Sequence, residues 1–175
     1  EDGAAGVPEM IRNGHGKEFV GQGGLRTLAR MASNAELSTS RAAAASLLAL
    51  CKGDETTRAE VVREGGIALG VNLCRSGDPG TQAHAAEALA LLSHHRQLHA
   101  ALLAGGALPA LAHLALSADE KSKTAAAKAL SHLGKDRGVR DELLKSKPLA
   151  RQIAAARSNP NKNSFFAYLS LLSLE

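Results

Sequence analysis

The chain has 175 residues and a formal net charge of +4, and it holds 34 Ala and 27 Leu but only three Phe, one Tyr and no Trp. This composition excludes a β-sandwich or β-barrel, which needs β-branched and aromatic side chains, and it is too apolar for a disordered chain. The abundant helix formers predict an all-α protein, and the length is enough for one compact domain.

A regular pattern begins near residue 18. Residues 1–17 lack a complete unit, and GVPEMIRNG (6–14) is interpreted as a remnant second helix or as a cap. Glycine pairs then recur at Gly23-Gly24, Gly65-Gly66 and Gly105-Gly106. Each pair separates two short apolar segments, so it is predicted to make the turn between two short helices.

A longer Ala/Leu segment closes each unit after a polar break. Its apolar residues recur at i, i+3 and i+6, the spacing of one buried helix face. They align between units as Ala44, Ala86 and Ala127, as Leu47, Leu89 and Leu130, and as Leu50, Leu92 and Leu133. A fourth unit continues with Leu143-Leu144, Tyr168, Leu171 and Leu174. The predicted units are roughly residues 18–57, 58–97, 98–138 and 139–175, with three helices in each.

Several segments resemble armadillo repeats: EVVREGGIALGVNL (60–73), AAEALALLS (85–93) and AALLAGGALPALAHLAL (100–116). In that family a short first helix ends in Gly-Gly, a proline such as Pro109 starts the second helix, and an Ala-rich third helix packs inside. The resemblance implies a right-handed α-solenoid of about 3.5–4 three-helix repeats. The nearest competing architecture is the two-helix HEAT unit.

The same resemblance implies that the third helices line a concave groove in which partners bind. The groove positions carried over to this chain are Arg41, Ala45, Ala49, Glu87, Leu91, Thr124, Lys128, His132, Phe165 and Leu169. The Trp and Asn of importin-like armadillo repeats would fall on Glu87 and Leu91, so the peptide-clamping ladder is missing. This departure argues against binding of a classical nuclear localisation signal. A helical or mixed-charge protein segment suits the positions better, although they could also be ordinary solvated positions.

The expected function is a non-catalytic protein-protein interaction module, or a scaffold subunit of a larger assembly, without a cofactor. Partners would bind in the groove and at the C-terminal face. One alternative is a HEAT-like helical-repeat enzyme or chaperone, such as a chromophore-lyase-like protein. Another is a nucleic-acid-associated subunit, because the chain from residue 118 onward has 11 Lys/Arg against 6 Asp/Glu.

Histidines and cysteines are the remaining candidates for chemistry. His95 and His99, four residues apart, form a possible metal pair without an obvious third ligand, so no metal site is predicted. His132 in the groove would give a partner contact a pH dependence. Cys51 and Cys74 lie in apolar runs, which indicates core packing or a reducing compartment more than a disulfide.

The expected location is therefore intracellular, either the cytoplasm or an organelle after removal of a targeting peptide. No apolar run reaches the roughly 20 residues that a transmembrane helix needs.

Overall fold

The computed structural model describes residues 2–34, 36–145 and 147, and these ranges contain helices and no strand. A π-helical turn, Ile11–His15, joins the first two helices, and a 3-10 turn, Arg96–Leu98, precedes the eighth. The α-helices are α1 Asp2–Met10, α2 Gly16–Gly21, α3 Gly24–Ala32, α4 Leu37–Cys51, α5 Glu55–Arg63, α6 Gly66–Cys74, α7 Pro79–Ser93, α8 His99–Ala104, α9 Ala107–Leu114, α10 Glu120–Leu133 and α11 Arg137–Lys145. The predicted all-α class is confirmed.

The helices form three-helix units that stack on one another. The third helices α4, α7 and α10 pack side by side in one layer, and the second helices α3, α6 and α9 pack in a second layer behind them. Each unit covers the apolar face of its neighbour, which is the architecture of an α-solenoid. The predicted solenoid is therefore confirmed.

One continuous hydrophobic core runs through these layers. The leucines predicted to share a buried helix face are all at most 1% exposed: Leu47, Leu50, Leu89, Leu92, Leu130 and Leu133. Burial of one leucine side chain contributes roughly 1.5–3 kcal/mol. Small residues between them, such as Ala43 and Ala85, are also buried and allow the third helices to approach closely.

Each turn between a first and a second helix depends on one glycine with positive φ. These glycines are Gly23, Gly65 and Gly106, with φ values of 81°, 93° and 76°. The sequence alignment of the glycine pairs places Gly105 opposite Gly65. In the structure the equivalent of Gly65 is Gly106, so this alignment is wrong by one position. Gly106 takes the left-handed conformation, which costs glycine little, whereas Gly105 is a right-handed C-cap.

The third helices begin at equivalent positions in successive units. Asp78 caps α7 by accepting a hydrogen bond from the Thr81 backbone N–H (2.8 Å), and Asp119 caps α10 through the Ser122 N–H (2.8 Å). Glu36 occupies the N-cap position of α4. Glu36, Asp78 and Asp119 are therefore equivalent positions in successive units.

The proline prediction needs a small correction. Pro109 is the third residue of α9 rather than its first, because the helix already begins at Ala107. The first four N–H groups of a helix have no intrahelical acceptor, so proline loses no hydrogen bond at this position either. Pro79, in contrast, is the first residue of α7.

The N-terminal segment packs on the array from the side of α4. Helix α1 lies against α4, where the third helix of a preceding unit would lie, and Ile11 after it is buried. At the other end, α11 would begin the fourth unit, and Val139 in it is buried. The predicted residues Phe165 and Leu169 lie outside the described residues, and the unit boundaries remain predictions.

In the described part of the chain, no helix combines the length and the apolar character needed to cross a bilayer.

Candidate partner-binding groove

The third helices have one face that no second helix covers. We call this side of α4, α7 and α10 the groove face. The register between units defines three rows of residues across α4, α7 and α10. The rows are Arg41, Ala83 and Thr124; Ala45, Glu87 and Lys128; and Ala49, Leu91 and His132. All eight described residues of the predicted groove are exposed or half-buried, whereas the leucines beside them are buried. The helices thus present these side chains in rows across the array.

Arg41 is engaged by the next unit. Its Nε and Nη2 donate hydrogen bonds to the two carboxylate oxygens of Asp78, at 3.1 and 2.6 Å. Gly80 permits this approach, since a Cβ there would lie 2.7 Å from the Arg41 Nε. The guanidinium holds the pKa of Asp78 well below its usual range. Arg41 therefore joins two units, whereas the sequence predicted it only as a groove position.

Glu87 also has a partner in the preceding unit. Lys52, at the C-cap of α4, lies 3.6 Å from the Glu87 carboxylate, and both side chains are about half exposed. A partly solvated pair of this kind adds little stability. Its consequence is electrostatic, because it neutralises the only carboxylate among the eight predicted groove residues that the structure describes.

A cavity of about 470 Å³ lies at the N-terminal end of the groove face. We call it the end cavity; it is lined by Pro8, Ile11, Arg12, Gly14, Ala45, Leu48, Ala49, Lys52, Gly53 and His84. The walls are mainly apolar, with Arg12, Lys52 and His84 as polar groups. Desolvation lowers the pKa of His84, so burial favours its neutral ring. The sequence did not predict that residues 8–14 line this cavity. The apolar Ile11 in GVPEMIRNG is the signal that this segment packs on the array.

A second cavity, of about 240 Å³, lies where α7 and α10 end. It is lined by Ser93, His94, Arg96, His99, His132, Lys135 and Asp136. The His94 and His132 rings meet edge to face with centroids 5.1 Å apart, and His132 Nδ1 lies 3.3 Å from the Ser93 hydroxyl. Desolvation lowers the pKa of His132.

The possible metal pair of His95 and His99 is not formed. His99 is buried, and its Nε2 is hydrogen bonded to the Ser93 carbonyl at 2.7 Å. His95 instead precedes the 3-10 turn and packs its ring edge to face with His94. Among the described residues, no three His, Cys, Asp or Glu side chains converge to hold a metal ion.

Both cysteines are buried and free. Burial raises the pKa of the Cys51 thiol to about 12 and that of the Cys74 thiol to about 12 as well. A thiol that stays protonated at neutral pH is a poor nucleophile, so these residues serve as core packing.

Comparisons with solved structures identify the class of fold. A computationally designed armadillo repeat protein for modular peptide recognition has a TM-score of 0.81 at 16% identity, covering 97% of this chain and 73% of that one. A second designed armadillo repeat protein, in complex with the peptide (KR)4, has a TM-score of 0.72 at 17% identity, with 98% and 69% covered. An engineered protein from a structural genomics consortium has a TM-score of 0.67 at 26% identity, with 88% and 69% covered.

This chain is therefore an all-α solenoid with an armadillo-like repeat fold. No protein-family model matches the sequence. The search of curated proteins finds no match.

Proposed function

We propose that the chain is a non-catalytic binding module or scaffold subunit that holds a segment of a partner protein on its groove face. The single observation that carries this proposal is the uncovered third-helix face with the end cavity at one end. A cavity of about 470 Å³ is within the range of protein sites that bury a ligand group of several side-chain atoms. It opens beside Ala45 and Ala49, two of the predicted groove residues.

The fold comparisons support the same class of function. The first designed protein is described as made for modular peptide recognition, and the second was solved with a peptide. This chain lacks the Trp and Asn ladder of importin-like armadillo repeats, which argues against binding of a classical nuclear localisation signal. Stacked units with rows of side chains in register suit a partner segment that crosses several helices.

A selection from a random displayed-peptide library tests the proposal. Peptides selected on the wild-type chain should lose binding to Ala49→Trp, because the larger side chain would fill the end cavity. The matched control is Ala68→Trp, on an exposed position of the second-helix layer. Thermal unfolding of both variants establishes that each is folded. Failure to select any peptide, or equal loss in both variants, would contradict the proposal.

A further inference from the structure

Three lysines share one face of α10 and the turn that follows it. Lys121, Lys128 and Lys135 are spaced by seven residues, which is close to two helical turns, and all three are exposed. Lys128 lies in the same row as Ala45 and Glu87, so this lysine face is part of the groove face. Within the described ranges, none of the three side chains forms an ion pair.

Nearby cations on the groove face are paired, in contrast. Arg41 is held by Asp78, and Lys52 lies 3.6 Å from Glu87. On α10 itself, Lys123 lies outside this row and is paired with Glu120 at 2.5 Å. The unpaired positive charge of the groove face is therefore concentrated at its distal end.

The opposite end of the same face is mainly apolar, and its two cations, Arg12 and Lys52, are paired with Glu9 and Glu87. The end cavity is lined by Ala45 and Ala49, which occupy the same two rows as Lys128 and His132 on α10. Pro8, Ile11 and Leu48 complete its apolar wall. One partner segment crossing α4, α7 and α10 would thus meet an apolar cavity first and unpaired lysines last.

We propose that the groove face binds an extended acidic segment, with one aliphatic side chain in the end cavity and carboxylates on Lys128 and its neighbouring lysines. This inference rests on the proposed function and specifies the chemistry of the partner. Between the two ends, Glu87 is paired with Lys52 and Leu91 is apolar, so α7 offers no unpaired cation and neutral residues are expected there. The segment is therefore the electrostatic opposite of the (KR)4 peptide in the complex of the designed armadillo protein.

The geometry sets the spacing of these groups. Packed helices lie about 8–10 Å apart, so the step from α4 to α10 is at most about 20 Å. An extended chain advances about 3.3 Å per residue, which places the carboxylates roughly four to six residues from the aliphatic anchor.

A protein segment fits this face better than a nucleic acid. Phosphate backbones need repeated cations along the whole contact, whereas the only cation among the described groove residues of α4 and α7 is Arg41, which is held by Asp78. The described groove residues also offer no Phe, Tyr or Trp on which a base could stack. An aliphatic cavity at one end, in contrast, is suited to a leucine or similar side chain.

The experiment measures fluorescence anisotropy of labelled peptides on the whole chain. The main probe is Leu-Ser-Ser-Ser-Glu-Glu-Glu, and its reversed sequence covers the opposite direction of the segment. One of the two should bind, and replacing its Leu with Ser should weaken binding by at least about tenfold, since a buried leucine contributes this much or more. Replacing its Glu residues with Lys should abolish binding.

Variants of the chain locate the contact. Lys128→Glu should weaken binding of the acidic probe by roughly three- to tenfold, and added salt should reduce this difference. The matched control, Arg30→Glu, makes the same charge change at an exposed position on α3 and should leave binding unchanged. The substitutions in the probe give the same information without any effect on folding of the chain.

Each other outcome overturns the inference. Stronger binding of the Lys-containing probe would contradict the charge assignment, and preferential binding of a single-stranded oligo-dT would assign the lysines to nucleic acid. If these probes fail while library-selected peptides remain sensitive to Ala49→Trp, the inference is wrong and the proposed function stands. If the selected peptides also fail, both are wrong.

Discussion

Arg41 and Asp78 are joined by two hydrogen bonds, at 3.1 and 2.6 Å, although they are 37 residues apart in the chain. Asp78 also accepts hydrogen bonds from the backbone N–H and the hydroxyl of Thr81, at 2.8 and 2.7 Å. One buried carboxylate thus begins the third helix of one unit and binds the third helix of the unit before it. Stacking of the first two full units therefore includes a specific polar link as well as apolar packing.

Removal of this carboxylate should destabilise the array. We expect Asp78→Ala to lower the free energy of unfolding by about 2 kcal/mol, because both the helix cap and the inter-unit hydrogen bonds are lost. Asp119→Ala is the matched control, since Asp119 caps α10 in the same way but has no ion pair within the described residues. It should cost only about 1 kcal/mol. Urea unfolding measures both, and an equal loss in the two variants would show that the link to Arg41 adds nothing.

The same carboxylate predicts an acid-sensitive stability. The pKa of Asp78 is lower in the folded chain than in the unfolded chain, mainly because of Arg41. Its contribution is therefore present above the unfolded pKa of about 4 and is lost as the pH falls toward the folded value. In a urea series between pH 6 and pH 2, the loss below pH 4 should be smaller in Asp78→Asn than in the wild type. Parallel curves for the two proteins would be the contrary result.

His132 predicts a second pH dependence, in a higher range. Desolvation lowers its pKa in the folded chain, so protonation favours the unfolded state. Stability should then decrease as the pH falls through about 6.5, and a charged His132 would also face the His94 ring at 5.1 Å. His132→Leu should reduce the fall in melting temperature between pH 7.5 and pH 5. His113→Gln, at an exposed position of α9, is the control for removal of an imidazole outside this ring contact.

Replacing either glycine of the Gly65-Gly66 pair with alanine should destabilise the chain, but for a different reason at each position. A Cβ on Gly66 would lie 2.3 Å from the Val61 Cγ1 and 2.7 Å from the Val61 carbonyl oxygen. Gly66→Ala should therefore cost about 1–3 kcal/mol through overpacking. Gly65→Ala should cost about 1–2 kcal/mol for another reason, since its φ is 93°. Gly77→Ala is the control, because nothing lies within 4 Å of its added Cβ; a comparable loss there in urea unfolding would contradict both explanations.

The fold was predictable because its determinants are local and repeated. The leucine spacing of the third helices follows directly from one turn of helix, so the buried residues Leu47, Leu89 and Leu130 could be identified without coordinates. The positive-φ turn was also predictable, since two adjacent glycines between apolar segments indicate it. The choice of Gly106 over Gly105 was not, because either glycine can adopt that conformation.

The groove was less predictable because its contacts join different units. The Arg41–Asp78 hydrogen bonds and the His94–His132 ring contact each depend on how two units stack, and no short-range pattern encodes that. The end cavity depends in the same way on where residues 8–14 pack. The rows of groove residues rest on the repeat register, and their role in binding stays a prediction. The contacts of Arg41 and Glu87 with other units required the structure.

The most direct test of partner binding is amide chemical-shift mapping of the chain with a library-selected peptide. The proposal predicts that the shifted resonances cluster on α4, α7 and α10, around Ala49, Leu91 and Lys128. Shifts that cluster on the second helices α3, α6 and α9 would contradict it.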